Sequence, residues 1–250
     1  MIFAAGLGTR LKPLTDTMPK ALVPLAGKPL LQWQVEKLRD AGITDIIVNV
    51  HHFPDQIIDT IRANNGWGCN IVISDERDQL LDTGGGLRKA LSSVTGNPSP
   101  ILACNVDILS NIDLRALIAE YNHQSPITNH QSLLVVSDRQ TQRYLCFDEQ
   151  DQLCGWTNIK TGEVKGRDGR HLAFSGMQIL SPDVLARLDE MPEGKFSLID
   201  FYLHLCEQNQ KSKIENQKSI LKAYVPSNYL MMDVGKIDQI EEAEAFAESL

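Results

Sequence analysis

The segment Ala4-Ala5-Gly6-Leu7-Gly8-Thr9-Arg10-Leu11 sets two glycines, a hydroxyl and a guanidinium directly after a short apolar run. Glycines let backbone N–H groups approach a phosphate closely, and Thr9 and Arg10 add side-chain donors. An ordinary turn has the same look. Leu11 stands where a dinucleotide fingerprint has its third glycine, and no Gly-Lys-Ser/Thr completes a P-loop. A second run, Asp82-Thr83-Gly84-Gly85-Gly86, leaves no side chain between the backbone and a flat ligand. Asp107 and Asp233 each follow an apolar run, in Asn105-Val106-Asp107 and Met231-Met232-Asp233. Two carboxylates suffice for magnesium, which takes hard oxygen ligands and leaves places for phosphates. An aspartate after a strand serves equally as a turn residue or helix cap.

These residues need elements to hold them. Up to about residue 110, short apolar runs alternate with helical patterns, which predicts a largely parallel sheet flanked by helices. Strands are expected at 1–4, Asp45–Val50, 70–74 and Ile101–Asn105. A helix at 31–41 has Leu31, Val35 and Leu38 on one face and Gly42 after its end; a second starts at Pro54 with an Ile57, Ile58, Ile61 stripe and stops at Asn64-Asn65-Gly66. A third follows Gly84-Gly85-Gly86 to about Val94, and Asn97-Pro98-Ser99-Pro100 leads into the next strand. Short strands with polar turns at 132–156 predict an antiparallel excursion. A late strand at 229–233 and a closing helix at 237–250, with Ile240, Ala243 and Ala247 inward, complete the pattern.

The 250 residues are 42% hydrophobic, enough for a sizeable core, and the net charge of -8 argues against a nucleic-acid partner. No run approaches the roughly 18 apolar residues of a membrane span, so no membrane partner is expected and the setting is read as cytoplasmic. Five scattered cysteines without a C-x-x-C pair predict reduced, mostly buried thiols. The six histidines show no ligand or triad spacing and are read as structural, and Trp33, Trp67 and Trp156 as packing.

The first loop continues as Lys12-Pro13-Leu14-Thr15-Asp16-Thr17-Met18-Pro19-Lys20-Ala21-Leu22-Val23-Pro24-Leu25-Ala26-Gly27-Lys28-Pro29-Leu30. The patterns G-x-G-T-R-L-x-P-L-T and P-K-x-L-V-P-[LV]-x-G-x-P-[LM] resemble the signature of the sugar-1-phosphate nucleotidyltransferases, especially their compact bacterial members. Later landmarks fall in the family's order over nearly the whole chain. The resemblance implies an α/β, Rossmann-like three-layer fold: a mostly parallel central sheet, a small antiparallel excursion and no C-terminal β-helix. It implies a single domain over 1–250, with a nucleotide-binding half to about 110, a sugar-phosphate half at about 111–235 and the closing helix beyond.

The activity implied is magnesium-dependent transfer of a nucleotidyl group from an NTP (UTP, GTP, dTTP or CTP) to a sugar 1-phosphate. An NDP-sugar and pyrophosphate result, made by a monomer or small homo-oligomer. By the same match Lys20 and Arg10 are the catalytic cations, with Arg10 on the leaving phosphates. Ala5, Gly6, Leu7, Gly8, Thr9, Arg10, Glu76, Thr83, Gly84 and Gly85 would line the nucleotide, Asn105, Ser175 and Gly176 the sugar phosphate, and Asp107 and Asp233 the Mg2+. Asp138, Arg143 and Tyr144 fall in the region of further sugar contacts without a fixed register.

Two features depart from the family pattern. Val106 stands where relatives carry Gly, which predicts strain if that position needs φ > 0. Relatives also have a few residues ahead of the equivalent of Ile2, so the first strand is expected to be short. A nucleotide-sugar-dependent glycosyltransferase, for which Asn105-Val106-Asp107 would be a degenerate D-x-D, is an alternative, as is a catalytically impaired nucleotide- or sugar-phosphate-binding protein.

Overall fold

The computed structural model describes residues 1–93, 99–123, 131–211 and 221–250. In chain order the elements begin with β1 (Ile2–Phe3), β2 (Pro24–Leu25), β3 (Lys28–Pro29), α1 (Leu30–Asp40), β4 (Asp45–Val50), α2 (Pro54–Ala63) and β5 (Asn70–Asp75). Then come α3 (Asp82–Ser92), β6 (Ile101–Asn105), β7 (Ile108–Ser110), α4 (Leu114–His123), β8 (Ser132–Ser137), β9 (Arg143–Phe147), β10 (Leu153–Asn158) and β11 (Glu163–Gly166). The remainder are β12 (Arg170–Leu180), α5 (Pro182–Leu185), α6 (Leu198–Lys211), β13 (Leu221–Tyr224), β14 (Met231–Asp233) and α7 (Ile240–Glu248). The chain is α/β and divides into two compact units, residues 1–95, 104–114 and 230–250 in one and 96–103 and 115–229 in the other.

In the first unit β1 lies between β4 and β6, both parallel to it, with Ile2 opposite Val48 and Cys104; β5 extends the row beyond β4. The apolar run Ile46, Val48 and Val50 is buried, as a strand shared between two neighbours requires. Helix α1 buries Leu30, Leu31, Val35 and Leu38, and Gly42 follows it with φ +92, a left-handed conformation that glycine takes without steric cost. Helix α2 has Pro54 in its first turn and buries Ile57 and Ile61, while Ile58 is only half-buried.

In the second unit β8 is buried along its whole length between antiparallel β12 and parallel β13. β9 pairs antiparallel with β10 and β12, and β10 with β11. Helix α6 buries Leu198, Phe201, Tyr202, Leu205 and Cys206. No helix among the described residues is long and apolar enough to cross a membrane.

Several boundaries move. The glycine run does not precede a helix: α3 begins at Asp82, so Gly84, Gly85 and Gly86 form its first turns and are buried. Asp82 takes the left-handed turn at φ +63, and its Oδ1 accepts from the Thr83 N–H at 2.7 Å. Helix α3 ends at Ser92; Val94, Asn97 and Pro98 lie outside the described residues. The late strand contracts to Met231–Asp233, β13 was not anticipated, and the closing helix opens with a 3-10 turn at Ile237–Gln239. In α7 Ala243 and Ala247 are buried, while Ile240, the first residue of the helix, is only half-buried.

The glycines of α3 are held by a buried polar chain. Asn49 Oδ1 accepts from the Ala4 N–H at 2.7 Å, Asn49 Nδ2 donates to Glu76 Oε1 at 2.7 Å, and Glu76 Oε2 accepts from the Leu81 N–H at 3.1 Å. A Cβ at Gly86 would sit 2.6 Å from Glu76 Oε1 and 3.0 Å from Asn49 Nδ2, whereas one at Gly6 would meet nothing within 4 Å. Gly86→Ala is therefore expected to destabilise the protein by about 1–3 kcal/mol, the usual range for overpacking, while Gly6→Ala leaves stability within about 0.5 kcal/mol. Urea unfolding of both variants checks this, and equal midpoints would remove Glu76 and Asn49 as the constraint on α3.

Candidate nucleotidyl-transfer site

The glycine loop leaves β1 with Ala4 and Ala5 buried and Gly6, Leu7, Thr9 and Arg10 exposed. Gly8 takes φ +63 and caps the 3-10 turn Thr9–Leu11. A Cβ on Gly8 would lie 2.8 Å from Thr15 Cγ2 and 3.0 Å from Lys20 Cβ, so glycine here gives both the backbone turn and the close approach of Lys20. Thr15, itself buried, donates from Oγ1 to the Gly8 carbonyl at 2.9 Å and fixes the loop from below. Ala5 contributes only backbone to this surface, since its side chain is core.

Lys20 lies in a short 3-10 turn after Pro19 and is only 8% exposed. Its Nζ donates to Asp107 Oδ2. Asp107 stands in the two-residue turn between β6 and β7, and helix α1 holds β7 through two side chains: Gln34 Nε2 donates to the Ile108 carbonyl at 2.6 Å and Lys37 Nζ to Ser110 Oγ at 2.9 Å. Burial pulls the Lys37 ammonium down to about 8. Strand β14 pairs antiparallel with β7, setting Asp233 opposite Ile108, and the Val234 N–H donates to the Asp107 carbonyl at 2.9 Å. Two carboxylates far apart in sequence thus sit on adjacent strand ends.

Asp233 faces Arg10 at 3.7 Å, and both side chains are about half-exposed. Gly235 lies against this pair: a Cβ there would be 2.7 Å from Asp233 Oδ1 and 2.8 Å from Arg10 Nη2, so any side chain would push Arg10 aside. The arrangement joins Gly8, Arg10, Lys20, Asp107 and Asp233, with cations and carboxylates equal in number. Chemically it can receive phosphate oxygens on the cations and a hard cation on the carboxylates.

Other expected site residues stand elsewhere. Glu76 is fully buried and both its carboxylate oxygens are engaged with Asn49 and Leu81, so its side chain faces the interior and cannot read a base. Gly84 and Gly85 are buried within α3, not in an open turn, and Thr83 is half-buried at its start. Asn105 ends β6 opposite Phe3 and is half-buried. Ser175 and Gly176 belong to the second unit, where β12 shifts register between Phe174 and Gln178; Gly176 has φ +67 and Ser175 Oγ is buried without a hydrogen-bond partner. Arg143 and Tyr144 lie on β9 of that unit. Val106 is not among the left-handed residues; its N–H donates to the Phe3 carbonyl at 3.1 Å and its side chain is buried, so the expected strain is absent.

His51 and His52 are structural, their rings bonded to the carbonyls of Glu76 at 2.7 Å and Thr15 at 3.1 Å. All five cysteines are free and four are buried. Asn49 was not foreseen as a positioning residue. Its signal was present, as the one amide inside the apolar run Asp45–Val50.

The chain is similar to known proteins over most of its length. The chain is 32% identical over 249 residues, 99% of its length and 97% of the relative's, to N-acetylmuramate alpha-1-phosphate uridylyltransferase of Neisseria meningitidis serogroup B. It is 33% identical to the Caulobacter vibrioides protein of the same name over 82% of this chain and 83% of the relative. HddC from Yersinia pseudotuberculosis, solved in complex with GMP-PN, superposes with a TM-score of 0.72 at 25% identity, covering 98% of this chain and 97% of that one. The nucleotidyl transferase family profile matches residues 1–249, and the chain belongs to that family.

Proposed function

We propose that the protein transfers a uridylyl group from UTP to N-acetylmuramate α-1-phosphate, releasing pyrophosphate. The observation that carries the reaction type is the joint presence of Lys20, Arg10, Asp107 and Asp233 around the Gly8 loop. The substrate identity rests on the two full-name relatives, which match most of their length.

The sugar-phosphate oxygen is already anionic near neutral pH, so attack on the α-phosphorus needs no protein nucleophile or general base. The protein supplies alignment and charge neutralisation, which dominate transfers of this kind. Lys20 is placed to leave Asp107 for a phosphate oxygen, and the exposed Arg10 guanidinium to bind the departing pyrophosphate. Loop residues 6–9 offer backbone donors to the same phosphates.

The donor set fits a hard divalent ion, because Asp107 and Asp233 present two carboxylates from adjacent strands and no thiolate or imidazole. Mg2+ held there would neutralise phosphate charge as a Lewis acid. Ser175 and Gly176, at the bulge of β12 in the second unit, are assigned to the sugar phosphate, supported by the Ser175 hydroxyl, which has no hydrogen-bond partner among the described residues.

Lys20→Ala removes a cation where negative charge accumulates, and kcat/KM should fall by about 10²–10³ with secondary structure intact; near-parental turnover would sink the assignment. Asp107→Asn and Asp233→Asn should each raise the Mg2+ concentration needed for half-maximal rate, and a variant that titrates like the parent identifies a carboxylate that is not a ligand. For the substrates, pyrophosphate release with UTP and N-acetylmuramate 1-phosphate should exceed that with GTP and mannose 1-phosphate by at least about tenfold, the scale on which pocket contacts discriminate. The reverse preference would reassign the substrates while leaving the reaction class standing.

A further inference from the structure

Within the second unit, Cys146, Asp168 and His171 bring one thiol, one carboxylate and one imidazole together, their ligand atoms all within 4.8 Å of one another. The reading of every histidine as structural does not extend to His171. Backbone register fixes two of the three groups, because β9 and β12 set Cys146 directly opposite His171. Asp168 comes from the loop just before β12, and its Oδ1 accepts from the Gly169 N–H at 2.9 Å, which holds the carboxylate in place. Cys146 Sγ lies 3.7 Å and His171 Nε2 2.6 Å from that same oxygen. The His171 ring is further stacked on Tyr144, with centroids 5.6 Å apart.

We propose that Cys146, Asp168 and His171 form a binding site for a borderline-soft divalent cation of the zinc type, clipping the loop before β12 to strand β9. Tetrahedral zinc, with bonds of about 2.3 Å to sulfur and about 2.0 Å to nitrogen and oxygen, places S and O about 3.6 Å apart and N and O about 3.3 Å apart. The sulfur–oxygen separation already matches. The nitrogen–oxygen contact, 2.6 Å, would have to open to about 3.3 Å by movement of the exposed imidazole.

Charge also suits the ion. Zinc would displace the thiol proton to solvent, leave His171 neutral with its proton on Nδ1, and be neutralised by one thiolate and one carboxylate. The fourth position, on the exposed side of Asp168 and His171, falls to water. The nearby arginines do not oppose it: Arg167 pairs with Asp148 at 3.5 Å and Arg170 with Asp151 at 2.5 Å. The thiol and imidazole donors separate this cluster chemically from the all-carboxylate pair Asp107 and Asp233.

The test is metal titration of the purified, chelator-stripped full chain. One equivalent of Zn2+ should bind against a chromophoric competitor, a large excess of Mg2+ should not displace it, and Co2+ should give a thiolate-to-metal charge-transfer band. His171→Ala, a change at a half-exposed ring that the fold tolerates, should weaken Zn2+ binding by at least about tenfold, as should Asp168→Asn. Cys146→Ser should abolish the cobalt band, and Cys69→Ser, at a cysteine outside the cluster, should leave all readouts unchanged. No stoichiometric zinc, or an affinity unchanged by His171→Ala and Asp168→Asn, overturns the proposal, as does a cobalt complex without the sulfur band in the parent.

Discussion

Lys20 and Asp107 form an ion pair whose side chains are only 10% and 19% exposed. Removing either one leaves the other as an uncompensated charge in a poorly solvated place, an expensive state, whereas keeping both satisfies each. Much of the first unit is organised around meeting that constraint. Gly8 lacks a side chain so that Lys20 can pass beneath the loop, Thr15 braces the same loop, and α1 fixes β7 through Gln34 and Lys37 so that the turn carrying Asp107 stays in reach. On the proposed function, phosphate binding is an exchange of partners among groups that are already positioned.

A second, uncharged constraint complements it. The chain from Ala4 through Asn49 and Glu76 to Leu81 joins the start of the glycine loop to the start of α3 through hydrogen bonds that are buried up to Glu76 and half-buried at Leu81. Buried polar networks with every member satisfied favour a single arrangement, because any shift strands a donor or acceptor. The two loops on either side of β4 are therefore held in fixed relation without using any group that a ligand would need.

The sequence made the charged residues legible because motif spacing and an apolar run before each aspartate are local features. Strands Asp45–Val50 and Ile101–Asn105 were readable to the residue for the same reason. What stayed hidden depends on tertiary contact. Gly86 looks like turn punctuation until Glu76 and Asn49 fill the space its Cβ would take. Glu76 looks like a ligand residue until its burial is known. Short β13 carries too little alternation to announce itself and exists through its pairing with β8. The Cys146, Asp168 and His171 cluster has no sequence spacing to betray it, since only strand register brings the first and last together.

The two ion pairs of the first unit differ in how much water surrounds them. Arg10 and Asp233 are 3.7 Å apart with side chains 59% and 47% exposed, while Lys20 and Asp107 are 10% and 19% exposed. Dissolved salt weakens the former in part, since 3.7 Å is short against a Debye length of about 10 Å at 0.1 M, and reaches the buried pair less. Ionic strength would therefore act on one half of the cluster, weakening the Arg10–Asp233 pair more than the enclosed Lys20–Asp107 pair.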